Sequence, residues 1–490
     1  MSHQAGPIEE LIEYKKAVLH DDRRDSRIRG SIEATLAFFS QRRSTFINKF
    51  DSRTAIRDPS ARRSSMTYPQ ISRPYQQFDN DKSNVDLGRE VLYEKDVEVG
   101  SIHKGAHGHD AHAEVLGPLS FKERLKHFTF AWYAMTMSTG GVAFVLSVVP
   151  NRFTGLTGLG TGLFVFNLFL FTAVTATIIA RFIIHPGTFT NSFTNPHEGF
   201  FSATAWLTIA TMISNTTAYG IPNSGPWLID ALRFAFWIYT VCATLHAIIY
   251  YHILFTVKKL VITNVLPGWV LPIFPAMLVG TLASAIGKTQ PPEHAMTILV
   301  AGLSYQGLGF FLALAMYGLY FGRLLTSGLP ADMSRPAMFI AVGPPAFTAL
   351  AFIGMAQDVQ ATKLFEGYTD LNGIANQDII PDILSLLALL MAIFLWTLAF
   401  WFFAIATVAS LEAVQRNDFH LNWYAYVFPN VGFTISTIKI GERLSSPGIQ
   451  MVGTGMAAVL FFLWILIVIC HMRAIANHKI MWPGKDEDAH

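Results

Sequence analysis

Polar and charged positions crowd the first 120 or so residues. From Phe128 onward they thin out, leaving ten apolar stretches at roughly 128–149, 160–184, 199–220, 227–256, 268–287, 294–322, 337–357, 380–411, 421–441 and 449–474. Each reaches the ~20 residues that a helix needs to cross the hydrocarbon of a bilayer. The pattern predicts an all-α membrane protein with ten transmembrane helices in a domain over 121–478. It is preceded by a cytosolic, largely disordered region over 1–120 and followed by a cytosolic tail over 479–490.

The odd-numbered stretches differ in kind from the even ones. The seventh holds Gly343-Pro344-Pro345 near its middle, the fifth Leu271-Pro272-Ile273-Phe274-Pro275, the ninth Phe428-Pro429-Asn430 and the first Gly140-Gly141. Proline removes an N–H donor and clashes with the carbonyl one turn back, so regular helix cannot run through these points. At membrane depth such backbone is tolerated only where protein or a watery cavity covers it. The third stretch has no breaker but sets Thr204, Thr208, Thr211 and Asn215 at helical spacing on one face. The even stretches contain no interior proline. Alternation of this kind predicts five helical hairpins, each with a broken or hydroxylated inner helix and an intact outer one.

Charge sets the orientation. With 51% hydrophobic and 14% charged residues the chain is too apolar for an average soluble protein. Twelve Lys and Arg fall in connections on the N-terminal side of the membrane against five on the other, which predicts both termini inside. The charges near the stretches lie towards their ends. Lys126 and Arg335 on the inside and Lys439 on the outside are candidate pore-mouth cations; the alternative is interfacial ion pairing, such as Lys439 with Glu442.

Half-helix N-termini carry positive dipole ends that favour anions, so inner helices broken around one axis predict a route for negative solutes. No HExxH, P-loop or mid-span carboxylate pair occurs, so nothing points to an enzyme or a nucleic-acid binder, and no metal or cofactor is expected. A membrane redox protein and a receptor remain as rivals. Cys242 and Cys470 sit apart in apolar stretches and read as inert thiols. His246 and His252, six apart, face different sides of one helix and read as packing residues. The cluster His103, His107, His109 and His112 lacks cysteine and reads as a solvated tract. Arg42-Arg43-Ser44-Thr45 and Arg62-Arg63-Ser64-Ser65 are patterns that a basophilic kinase can read.

Four blocks in order, Phe121 to Val142, Arg335 to Leu350, Trp423 to Glu442 and Trp482 to His490, resemble the fungal malic acid permeases. Those belong to the tellurite-resistance/dicarboxylate transporter group, with fungal sulfite efflux pumps and plant slow anion channels. The resemblance covers nearly everything from Lys122 onward and implies five hairpins around a central pore, often as a trimer. It also implies a pore-occluding phenylalanine on the ninth helix, for which Phe428 is the match. Expected pore-lining positions are Thr136, Ser138, Thr139, Gly140, Thr208, Thr211, Asn215, Phe274, Gly343, Pro344, Phe347, Pro429, Asn430 and Thr434. The expected function is plasma-membrane transport of C4-dicarboxylates such as malate, with a sulfite or small-anion pathway of the same fold as the alternative.

Overall fold

A computed structural model describes residues 120–257, 260–365, 377–416 and 418–482; the paired-arginine motifs, the histidine cluster and most of the C-terminal tail lie outside them. Every regular element among the described residues is helical. The ten longest helices are α1 (Tyr133–Val148), α2 (Leu156–Ile184), α3 (Ser202–Asn215), α4 (Trp227–Val257), α5 (Phe274–Ile286), α6 (Pro292–Ser327), α7 (Gly343–Thr362), α8 (Ile380–Ala413), α9 (Phe428–Arg443) and α10 (Pro447–Ala476). Odd-numbered helices have 13 to 20 residues and even-numbered ones 29 to 36.

The long helices turn apolar side chains outward. Phe169, Phe311, Phe394 and Phe462 are each about two-thirds exposed or more, as a lipid-facing surface requires. The short helices are interior: 94% of the apolar window in Asp332–Thr362 is buried, against 22% in Ile380–Ala413. Among the described residues, seven helical stretches are long and apolar enough to cross a membrane. The third, fifth and ninth expected crossings are not among them, because α3, α5 and α9 have only 14, 13 and 16 residues. At ~1.5 Å per residue, 14 residues cover about 21 Å of a hydrocarbon layer of about 30 Å. Irregular turns lengthen them: a π-helical turn, Thr216–Gly220, after α3, and 3-10 helices, Pro267–Val270 and Leu421–Tyr426, before α5 and α9.

The prolines do not interrupt these helices; they start them. Pro275, Pro344, Pro345 and Pro429 occupy the first turns of α5, α7 and α9, where an amide donor is not required. Before α7 runs an 11-residue 3-10 helix, Asp332–Val342, long for its type. The carbonyls orphaned at these junctions find donors on the long helices. Ala341 has prolines three and four residues ahead, and its carbonyl accepts from Tyr317 Oη of α6 at 2.8 Å. Trp269 has Pro272 three ahead and accepts from Tyr251 Oη of α4 at 3.0 Å. Tyr239 Oη of α4 donates to the Pro275 carbonyl at 2.9 Å.

Gly140-Gly141 does not break α1, which runs regularly through both. These glycines permit close packing instead. A Cβ on Gly140 would collide with Thr211 and Asn167, and one on Gly141 would lie 2.8 Å from Val431.

The short helices touch one another in cyclic order, α1 on α3, α3 on α5, α5 on α7, α7 on α9 and α9 on α1, and each packs against the long helix that follows it. On α2, Arg181 is buried and pairs with buried Glu198, donating at 2.5 and 3.3 Å. Removing one charge strands the other away from water. Arg181→Met should therefore destabilise the protein by about 3–5 kcal/mol, read as a fall in Tm of the detergent-solubilised protein. Arg181→Met with Glu198→Gln should recover much of it; equal losses in the single and double variants would show that the pair contributes no more than packing.

Candidate functional site

Three cavities lie between the short helices; all five border the second and third, and at the first the 3-10 helix before α7 takes the place of α7. The first, about 20 Å³, sits at the N-terminal ends, against Met137, Thr204, Phe274, Ile340 and Phe428. The second, also about 20 Å³, lies deeper, against Gly141, Thr211, Leu278, Phe347 and Phe428. The third widens to about 650 Å³ at the C-terminal ends and shares Phe144, Ser214 and Thr281 with the second. A cavity of 20 Å³ has room for about one water. Neither narrow cavity has room for a solute of several heavy atoms.

The closure is aromatic. Phe428, the first residue of α9, borders both narrow cavities and is 2% exposed. It stacks on Phe347 at 5.3 Å between centroids and meets Phe274 edge-on at 6.2 Å, while Phe274 and Phe347 are 5.8 Å apart. Each ring rests near a glycine of another short helix. A Cβ on Gly343 would come within 2.6 Å of Phe274, one on Gly432 within 2.8 Å of Phe347, and one on Gly141 within 3.4 Å of Phe428. Helices α5, α7 and α9 begin at this level, so three positive dipole ends converge on the rings. Their first amides are partly engaged: Phe274 N–H donates to Leu271 O at 3.1 Å and Gly343 N–H to Ile340 O.

The expected lining residues divide. Phe274, Phe347, Phe428, Pro429 and Thr211 border the narrow cavities. Gly343 seats a ring, and Pro344 caps the start of α7, its carbonyl accepting from Thr348 at 2.6 Å. The other hydroxyls join helices. Thr136 and Thr208 pair at 2.9 Å between α1 and α3. Ser138 donates to Tyr424 O at 3.2 Å, and Thr139 accepts from Trp464 Nε1 at 3.1 Å. Asn215 donates to Gly140 O at 2.8 Å. Asn430 and Thr434 face a separate, apolar lateral groove bordered by α8 and α10.

The cations also divide. Arg335 is buried in bonds with Asp332 at 3.0 Å, Glu412 at 3.2 Å and Ala409 O at 2.8 Å, so it ties the 3-10 helix to α8 and is not a free mouth charge. Lys126 is exposed on a short helix, Phe121–Lys126, and borders none of the three cavities. Lys439 both borders the wide cavity and pairs with Glu442 at 2.8 Å. Arg152, Lys288 and Asp358 join it there, though sequence position alone marked them only as segment-end charges. No periodicity signals that Asp358 is 2% exposed.

Comparison with known proteins bears on the same residues. The model of the SLAC1 family, voltage-dependent anion channel, matches residues 127–472. The chain is 36% identical over 378 residues to the malic acid transport protein of Schizosaccharomyces pombe, covering 76% of this chain and 84% of that one. A putative malic acid transport protein of the same yeast is 36% identical over 375 residues, covering 76% and 86%. The sulfite efflux pump of Trichophyton rubrum is more distant, 24% identical over 352 residues, covering 70% and 89%. All three are named for transport and none for a chemical reaction. With a match that takes in all ten helices, bar the last residues of α10, the chain belongs to the SLAC1 voltage-dependent anion channel family.

Proposed function

We propose that this protein is a plasma-membrane transporter of C4-dicarboxylates, malate first, working as a channel-like anion pathway with both termini in the cytosol. In this reading the ten helices form five hairpins around a central route, and the three stacked cavities are that route. The observation that carries it is the position of Phe428, which borders the cavities on both sides of the narrowest point. Malate as substrate rests on the names of the two yeast relatives.

The chemistry suits an anion. Three helix N-termini place positive potential where the route is narrowest. A phenyl ring is positive at its edge and negative at its face, so a ring swung edge-on to the axis favours a passing anion more than a ring lying across it. Thr211 and the shared Ser214 and Thr281 supply hydroxyls that can replace water around a carboxylate.

Expression in a transport-null yeast should confer uptake of labelled malate. Restored sulfite tolerance without malate flux would move the substrate to the smaller anion. Phe428→Ala should raise anion conductance severalfold in proteoliposomes at equal surface expression. Losing a packed ring costs up to about 3–5 kcal/mol, so thermal stability is measured alongside; unchanged or lower flux in folded protein would rule out a gating role.

A further inference from the structure

The wide cavity is cationic at its rim, yet its wall carries a carboxylate. Lys288 follows α5, Lys439 lies on α9, and Arg152 sits in the link from α1 to α2. Arg152 is engaged with Ser147 O at 2.9 Å and Thr157 Oγ1 at 2.8 Å, and Lys439 is shared with Glu442. Tyr219 faces the same space, its hydroxyl donating to Ala143 O at 2.7 Å. Asp358 of α7 is 2% exposed and forms no ion pair within contact distance among the described residues. Its Oδ2 is buried without a hydrogen-bond partner. A Cβ on Gly287 would stand 3.2 Å from its Cγ, so only glycine leaves room for it. The backbone amide of Lys288 and the charges of Lys288 and Lys439 act on the Asp358 carboxyl.

A buried carboxylate with an unanswered oxygen is costly to keep charged, and a second anion beside it adds repulsion. Repulsion scales with the charge of the visitor. Resting on the anion-transport reading above, we propose that Asp358 is the residue by which the wide cavity discriminates among anions. Ionised, it disfavours divalent anions about twice as strongly as monovalent ones; a proton on it removes that repulsion, and a proton on a dianion halves it. Lys288 and Lys439 attract both kinds of anion, and Asp358 offsets part of that attraction when it is ionised. Anion binding and proton binding are thereby linked at one site, each favouring the other.

The test uses nitrate as a permanent monoanion and sulfate as a permanent dianion. Each is titrated as an inhibitor of anion flux through the full-length protein in proteoliposomes at acidic and alkaline pH. A unit charge about 6 Å away in a water-filled cavity changes monoanion affinity about threefold and dianion affinity about tenfold. Wild type should lose sulfate affinity relative to nitrate as pH rises. Asp358→Asn should abolish that change and bind sulfate about tenfold more tightly than wild type at alkaline pH, while Asp358→Glu should retain the wild-type profile. A ratio that follows pH alike in wild type and Asp358→Asn would overturn the proposal. If Asp358→Asn does not fold, Asp358→Ser serves with the same expectation, and a sulfate-to-nitrate ratio that still follows pH in it as in wild type would also overturn the proposal. A wild type that carries sulfite or chloride but no malate would sink the substrate reading alone, since the inhibitor ratio is then read on that flux.

Discussion

The arrangement depends on an accounting of backbone carbonyls at membrane depth. Wherever proline deletes an amide, a carbonyl one turn back loses its partner, and lipid offers no replacement. Here tyrosines on the long helices make good the loss: Tyr317 at Ala341, and Tyr251 at Trp269. Each such bond reaches from an outer helix to the start of an inner one. The bonds that make the breaks tolerable therefore also set where α5 and α7 begin, and with them the height of the phenylalanines on the axis.

This changes what a proline in an apolar stretch signifies. Before α5 and α7 the breaks do not leave these carbonyls unpaired, because tyrosine side chains answer them. Their consequence for the axis is indirect. By starting α5, α7 and α9 part-way along the molecule, they bring three helix dipole ends and three aromatic rings to one level. Hydrophobic closure and positive potential then coincide, a combination suited to holding a route shut while keeping it attractive to negative solutes.

Much of this was legible in the chain, because proline and span length act locally. Gly343-Pro344-Pro345 forbids an α-helix running through it whatever surrounds it, so a helix can only start there, and the short interior helices α5, α7 and α9 follow from where such motifs fall. Roles that depend on neighbours were less readable. Thr208 and Asn215 share the helical spacing of a polar face, yet that face meets α1, through Thr136 and the Gly140 carbonyl. Gly140-Gly141 reads as a breaker in water-soluble terms but packs within a regular helix once another backbone lies against it. Arg335 looks like any interfacial cation until Glu412 comes beside it from a distant position and joins Asp332, three residues back on the same 3-10 helix. Asp358 sits near a segment end in sequence, and only the converging walls of α5, α7 and α9 make it interior.

The glycine seats carry one more implication. The ring of α5 rests on α7, the ring of α7 on α9, and the ring of α9 against α1, so every contact points the same way around the circle. The seats of Phe274 and Phe347 lie on α7 and α9, each of which bears the following ring, and the seat of Phe428 lies on α1. Such an interlock makes the closure a matter of helix positions, and a small rotation at one helix would be passed to the next. Displacing α7 or α9 would disturb both the ring seated on it and the ring it carries, so the three side chains pack as one unit.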